Sequence, residues 1–519
     1  MSWFFCKQKT QINGPVSFIF LPIFNICKVQ SMIKEFFDQF PYILVGLEVL
    51  YLVGIIFLAG KIIMDTKNTG KTLAYLMLII FFPVIGIIIY FVFGVNYRKN
   101  KFYSFKIARN EQVYQEVSAY IRKTHYKTLK NHTEEIEQFL TTVNFLYNAS
   151  YSPLSPGNHA EILINGEGKF EKVFEVIEKA VHHIHLEYYI YDNDGIGNRL
   201  ADLLIKKAEE GVIVRFLYDD MGSGKIGRKL LKRLKEGGIQ VSPVNKITFR
   251  LLANRVNYRD HRKIIIVDGT EVFTGGINVS DKYINPNPIQ YWRDVHLYIK
   301  GEAAFYFQFL FLSNWTFATE KIPEISKLYF DYKDKEEGNS LIQTAASGPD
   351  TKPSIMLSTA SAVLSARKRI YIVTPYFIPV ETVLNAIKQA GLSGVDVRLM
   401  VPKSGDSMVV NAAAYSYYEE LLENNVRIFF YKKGFIHAKT MIIDDNFSCV
   451  GTANMDVRSQ ELNFEVNALV FNEKINEKLQ KLFHEDMNDC EEVSLESWRK
   501  RPKTKVFFEH LARLLSPLI

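Results

Sequence analysis

Two stretches near the start of the chain have almost no polar positions, unlike anything that follows them. Residues 42–60 (YILVGLEVLYLVGIIFLAG) carry one charge, Glu48, and residues 73–94 (LAYLMLIIFFPVIGIIIYFVFG) carry none. A run of about 20 apolar residues matches the thickness of a bilayer core, so both predict transmembrane helices, the second kinked at Pro83. The twelve residues between them (KIIMDTKNTGKT) predict a hairpin over residues 42–95. The basic flank that follows holds Arg98, Lys99, Lys101, Lys106 and Arg109. By the positive-inside rule it places the rest of the chain in the cytoplasm. Residues 1–41 include an apolar run at 16–27 that is too short to span and is interrupted by Pro22; they have no legible role.

After a polar, helix-patterned linker (residues 96–150), the pattern changes to short apolar runs alternating with amphipathic ones, and it does so twice. The first pass reads IHLEYYIY (184–191), a helical LADLLIKKAEEG, then VIVRFLYDD (212–220). The second reads RIYIVTPYFI (369–378), a helical VLNAIKQAG, then VDVRLMVP (395–402). Strand, helix, strand is the signature of a largely parallel sheet covered by helices. Gly211 and Gly391 stand where left-handed helix caps are expected. The predicted fold is therefore α/β: two repeated sandwiched-sheet halves, residues 151–335 and 336–519, related by a pseudo-twofold axis, with the site between them. The second half ends in a basic, then amphipathic tail (SWRKRPKTKVFFEHLARLLSPLI) that suits either a membrane surface or packing on the body.

Each pass reaches the same motif. HRKIIIVDGTEVFTGGIN begins at His261 and HAKTMIIDDNFSCVGTAN begins at His437. His, Lys, Asp, Gly and Asn recur at the same spacing: His261, Lys263, Asp268, Gly275 and Asn278, then His437, Lys439, Asp444, Gly451 and Asn454. A lone His-x-Lys is usually an ordinary surface strand, but five matched positions in two copies overturn that reading for the His, Lys and Asn residues. They do less for the two Asp residues, which also suit turns. His and Lys two apart project from the same face of a strand. Two facing sets make a site that cleaves phosphodiesters. One imidazole attacks phosphorus, the other moves protons, and Lys and Asn bind the non-bridging oxygens. A nucleophilic His also needs its second nitrogen held. Asp294 and Glu465, downstream of the motif in each half, are the candidates.

Composition narrows this further. Of 519 residues, 48% are hydrophobic and 23% charged, which excludes a largely disordered chain. A net charge of +7 favours anionic partners, either phospholipid headgroups or nucleic acid. Residues 225–263 concentrate twelve Lys or Arg against two acids. Four cysteines (Cys6, Cys27, Cys449 and Cys490) without C-x-x-C spacing exclude a disulfide framework and give no zinc signature. No metal or other cofactor is called for.

The paired motifs resemble those of the phospholipase D superfamily. LEYYIY, YRDHRK, GGIN, WRD, TPYFIP, GTANMDVRS, ELNFEVN and LARLLSPLI tighten the resemblance towards the bacterial cardiolipin synthases, from about residue 42 to the end of the chain. The resemblance implies phospholipase D-like halves behind a membrane hairpin, in a multi-pass plasma-membrane protein. It implies that two phosphatidylglycerol molecules become cardiolipin and glycerol through a phosphohistidine. His261 would be the nucleophile and His437 the acid/base, with Asp268 and Asp444 completing the catalytic motifs and no nucleic acid involved. Thr452 departs from the Gly or Ser usual there. The rival readings are a hydrolase that passes the phosphatidyl group to water, a nuclease, and an inactive lipid-binding scaffold.

Overall fold

The computed structural model describes residues 41–66, 69–91, 117–244, 258–287, 290–321, 329, 337–349 and 351–516. Residues 1–40 and the basic flank at 98–109 lie outside the described residues. The chain divides into two units, Met1–Asn96 and Tyr97–Ile519.

In the first unit a 25-residue helix, Pro41–Asp65, is followed by helices Thr69–Phe81 and Pro83–Ile89. Val45–Asp65 is long and apolar enough to cross a membrane; among the described residues no other helix is. The second apolar run, expected as one kinked helix, is broken into two. Proline has no N–H to donate to Ile79, so the helix stops at Phe82 and restarts with Pro83 in its first turn. Leu58 and Ile62 bury against Ile79 and Tyr90, while most other apolar side chains of the unit are exposed.

The second unit is built on one sheet of fifteen strands. The first seven are β1 (Ser155–Ile164), β2 (His183–Tyr188), β3 (Ile213–Asp219), β4 (Gln240–Val244), β5 (Lys263–Val267), β6 (Glu271–Gly275) and β7 (Val295–Lys300). The others are β8 (Ser340–Ser347), β9 (Arg369–Val373), β10 (Asp396–Pro402), β11 (Val426–Tyr431), β12 (Thr440–Ile443), β13 (Phe447–Gly451), β14 (Glu465–Phe471) and β15 (Cys490–Val493). Across the sheet they run β4-β3-β2-β5-β6-β7-β1-β8-β14-β13-β12-β9-β10-β11-β15. Outwards from the antiparallel β1/β8 contact, corresponding strands of the two passes follow in the same order, with β15 added at one edge.

The sheet is mixed rather than largely parallel. β2-β3-β4 and β9-β10-β11 are parallel, whereas everything between β2 and β9 is antiparallel. The motif strands cause this, because β5/β6 and β12/β13 are joined by three-residue turns that only antiparallel neighbours accommodate. Helices cover both faces, and the pleat decides which core each residue joins. Ile264 and Ile266 enter one cluster, Ile265 and Val267 the other. Helix Ala304–Thr319 is apolar all round and buried along Ala304–Phe317, so it lies inside the body.

Two glycine and turn expectations resolve differently. Gly211 has φ +93° after its helix, as a left-handed residue there should. Gly391 instead lies inside helix Glu381–Leu392, and the left-handed position falls at Gly394, with φ +87°. Gly391 is required for another reason: a Cβ there would stand 2.2 Å from the Asn424 carbonyl oxygen. Asp268 and Asp444 follow β5 and β12 in left-handed conformation, with φ 50° and 49°. Asp268 accepts hydrogen bonds from the Val181, His182 and His183 amides at 2.8–3.0 Å. Asp444 accepts from the Arg367, Lys368 and Arg369 amides at 2.7–2.9 Å. Each carboxylate thus pins the start of β2 or β9 to the end of a motif strand. Asp268→Ala and Asp444→Ala orphan three donors apiece, and each should cost about 1–3 kcal/mol of stability. A melting temperature unchanged from the parent in either variant would refute this anchoring role.

Candidate active site

The two motifs meet where each is paired with a segment of the other half. Phe464 N–H donates to the Arg259 carbonyl and His261 N–H to the Phe464 carbonyl, both at 2.9 Å. On the opposite side Phe435–Ile436 pairs in parallel with Trp292–Arg293. There Phe435 N–H donates to Tyr291 O at 2.9 Å and His437 N–H to Arg293 O at 2.7 Å. Each histidine is therefore tied by its backbone to the residue immediately before a carboxylate of the other half.

Those carboxylates hold the rings. His261 Nδ1 lies 2.9 and 3.0 Å from the two Glu465 oxygens, and His437 Nδ1 lies 2.7 Å from Asp294 Oδ2. Glu465 and Asp294 are fully buried. The sequence places each carboxylate downstream of the motif in its own half; the fold gives each to the histidine of the other half. Because the carboxylates occupy Nδ1, Nε2 is the nitrogen left for chemistry.

The residue one past each motif glycine faces a carboxylate. A Cβ at Gly276 would stand 2.1 Å from Asp294 Oδ1, so nothing larger fits. At the corresponding place Thr452 donates its hydroxyl to Glu465 Oε2 at 2.5 Å and accepts from Val466 N–H. The departure at Thr452 therefore gives Glu465 an additional anchor.

Lys263 Nζ donates to the His261 carbonyl at 2.6 Å, and Lys439 Nζ bonds the His437 carbonyl in the same way. Asn278 accepts from Ile190 N–H and donates to the Tyr283 hydroxyl at 2.6 Å. Asn454 donates to Asp456, and its buried Oδ1 has no protein partner. Asp268 and Asp444 stand at the far ends of β5 and β12, and the structure does not bring them to the histidines.

His261, His437, Asn278 and Asn454 line one cavity of about 560 Å³. Tyr189, Trp292 and Tyr376 add aromatic walls, and Lys282, Arg458 and Arg259 add cations. Sequence reasoning missed these. Lys282 and Arg458 were findable, since each stands four residues after its motif asparagine, a match that extends the repeat. Among the described residues no cluster of three or more His, Cys, Asp or Glu is arranged to hold a metal ion.

Burial sets the electrostatics. It lowers His261 below the ordinary imidazole value, opposed by Glu465, whose own carboxyl is held low by the His261 contact against the cost of burial. It lowers His437 well below that value, helped by Lys439 and Lys263. Burial also brings Lys263 down to about 7 and Lys439 to about 8, and pushes Asp294 up to about 7. One dyad thus pairs an ionised carboxylate with a neutral imidazole, whereas the other holds a carboxyl that titrates near neutrality. In a cationic cavity, this equips one group to attack an anionic phosphorus centre and another to shuttle a proton.

The chain is similar to known proteins over most of its length. The family model described as "Cardiolipin synthase, PLD-like domain" matches residues 173–293 and 360–487. The model described as "Phospholipase_D-nuclease N-terminal" matches residues 49–94. A cardiolipin synthase of Geobacillus sp. (strain WCH70) is 38% identical over 480 residues, covering 91% of this chain and 94% of that protein. One from Alkalihalophilus pseudofirmus is 36% identical over 477 residues, with 91% and 94% covered. Among solved structures, phosphatidylserine synthase of Haemophilus influenzae Rd KW20 shares the fold of the body, with a TM-score of 0.55 at 12% identity, covering 73% of this chain and 99% of that one.

Glu465 and Asp294 contact the histidine rings, so loss of their charge is expected to fall on turnover. Glu465→Gln and Asp294→Asn should each lower kcat about 10²–10⁴-fold, with KM little changed. A loss confined to KM would show that these carboxylates touch substrate instead.

Proposed function

Because the chain belongs to the bacterial cardiolipin synthase family of phospholipase D-type phosphatidyltransferases, we propose that its cavity joins two phosphatidylglycerol molecules through a phosphohistidine on His261. His261 Nε2 attacks the phosphorus of the first lipid, and the bond from phosphorus to the headgroup glycerol oxygen breaks. His437 protonates that oxygen and glycerol leaves. A hydroxyl of the second lipid's headgroup then gives its proton to His437 and attacks phosphorus. The P–N bond breaks, releasing cardiolipin and free His261. Lys263, Lys439, Asn278 and Asn454 bind the phosphate; the lysines also contribute positive potential behind the rings.

The observation that carries this reading is the reciprocal exchange of carboxylates, which puts two differently tuned imidazoles in one cavity. The order of roles is supported by the ionised Glu465 behind His261, which keeps Nδ1 protonated and Nε2 a lone pair. It is supported too by the Asp294 carboxyl near 7 behind the proton carrier. An incoming phosphodiester supplies the negative charge that favours the His437 imidazolium. The matched strand order outwards from β1/β8 supports a pseudo-twofold relation between the halves. Helix Val45–Asp65 and the broken run after it support a two-span anchor in the plasma membrane, and the basic residues Arg98, Lys99, Lys101, Lys106 and Arg109 support a cytoplasmic catalytic body. The same anchor and the headgroup-sized cationic cavity favour lipid over nucleic acid as the substrate.

Purified protein in vesicles, with labelled phosphatidylglycerol as its substrate, should yield cardiolipin and glycerol. His261→Ala and His437→Ala should abolish the reaction, and the parent chain, quenched during turnover at mildly alkaline pH where a P–N bond survives, should show a phosphatidyl group on His261 by mass. Phosphatidic acid without cardiolipin would move the reaction to hydrolysis.

The pH dependence has a definite sign. The base needed in the free enzyme is neutral His261, lowered below the usual value of about 6.5, so the acid limb of kcat/KM should fall below that pH. The cations lose charge as pH rises through about 7 and 8, so kcat/KM should decline there. A profile still climbing at about pH 9 would contradict the cationic role of these lysines.

A further inference from the structure

A second surface lies beside the cavity and has no assigned use. The helix Met408–Tyr415 packs against the C-terminal helix Lys503–Arg513. Lys505 Nζ sits 5.8 Å over the Tyr415 ring, and the Arg513 guanidinium 4.0 Å over Tyr417. Inward faces are ordinary: Ala413, Ala414 and Ala512 are buried, and Glu509 is buried against Arg501 at 2.8 Å. Outward faces are not. Met408 is 89% exposed, Phe507 65%, Phe508 63% and Leu514 74%, with Val409 and Leu511 exposed beside them. So many large apolar side chains exposed along two packed helices mark something that covers them.

The charges beside them indicate what that is. Residues 499–513 carry six Lys or Arg against one acid, Glu509. Lys503 and Lys505 form no ion pair among the described residues. Large apolar side chains edged by unpaired ammoniums are the complement of an anionic lipid surface. The patch also adjoins the cavity, because Ser407 and Val410, on either side of Met408 and Val409, line it. Met221, 51% exposed, is part of the cavity wall contributed by the first half. A lipid has the same sequence of parts, with acyl chains first, then phosphate, then hydroxyls.

We propose that these two helices form a membrane-docking face at the cavity mouth, so that phosphatidylglycerol presents its headgroup to the histidines while its acyl chains stay in the bilayer. The face tethers the catalytic body separately from the N-terminal helices. This rests on the reading of the cavity as a phosphatidyltransferase site. No catalytic group is involved, and the helix exposes its apolar side chains without using them in the core.

The test uses the full chain. In vesicles of phosphatidylglycerol and phosphatidylcholine, the double variant Phe508→Glu/Leu511→Glu should lose at least tenfold in kcat/KM. On short-chain phosphatidylglycerol below its micellar concentration it should stay within twofold of the parent. Equal loss on both substrates, or loss on neither, would overturn docking. A second measurement is independent of folding in that variant. A fluorophore is placed at Phe508→Cys, in an active chain whose Cys6, Cys27, Cys449 and Cys490 are replaced by Ala. It should be quenched by brominated lipid in the same vesicles. Absence of quenching, or energy transfer between labelled copies in its place, would overturn the proposal, the latter in favour of contact between two copies. If the parent chain made cardiolipin from neither substrate, the reading of the cavity would fall, while the quenching would still decide docking.

Discussion

A buried imidazole needs a partner that fixes its tautomer and orientation. Here that demand is met twice, and each time by a carboxylate from the far half of the chain: Glu465 behind His261, 204 residues away, and Asp294 behind His437, 143 residues away. The backbone is arranged to make it so. Phe464 bonds to Arg259 and His261, and Arg293 bonds to His437, so the residue before each carboxylate is clamped to the segment that carries the histidine. The antiparallel β1/β8 contact holds the halves in the register these clamps require.

The cost of this arrangement is concentrated burial of charge. Lys263, Lys439, Asp294 and Glu465 are all withdrawn from water. Buried ions are poor stabilisers by themselves, since desolvation offsets most of their attraction. Their mutual placement keeps the ensemble tolerable, and the lowered lysines and raised Asp294 are what remains of that cost. Lys169 belongs to the same account: fully buried, it donates to the Ile277 carbonyl at 2.9 Å, beside Asn278. Its ammonium supports the backbone of the motif's final turn.

The doubled motif was legible because chemistry fixes residue types at fixed spacings, and the α/β class because strands and amphipathic helices alternate along the body. What could not be read was anything decided by which strands become neighbours. Exchange of Glu465 and Asp294 is a fact of topology, with no local mark in either segment. The antiparallel centre has no such mark, because the strand-helix-strand units that announce parallel pairing occupy only the flanks. Gly391 looks like a cap in sequence and is instead a point of close approach to Asn424, which lies beyond β10 and two helices. Pro83 predicts a bend, but it ends one helix and starts another. Asp268 and Asp444 illustrate the opposite error: a residue can be inseparable from a motif because it anchors the strand on which the motif is carried.

The reciprocal exchange has an implication for how such a chain could arise. One half alone supplies a histidine without its carboxylate and a carboxylate without its histidine, so it has no rudimentary version of the reaction to improve by selection. Two copies of a half, side by side, would satisfy both needs at once through contacts between molecules. Tandem duplication then turns an encounter that depends on concentration into one fixed by covalent linkage. It also releases the copies from having to be identical. The two sides do differ: a short acid, Asp294, lies over Gly276 on one, and a longer acid, Glu465, is tied by the Thr452 hydroxyl on the other. A single chain leaves the two histidines free to have unequal surroundings, as they do here.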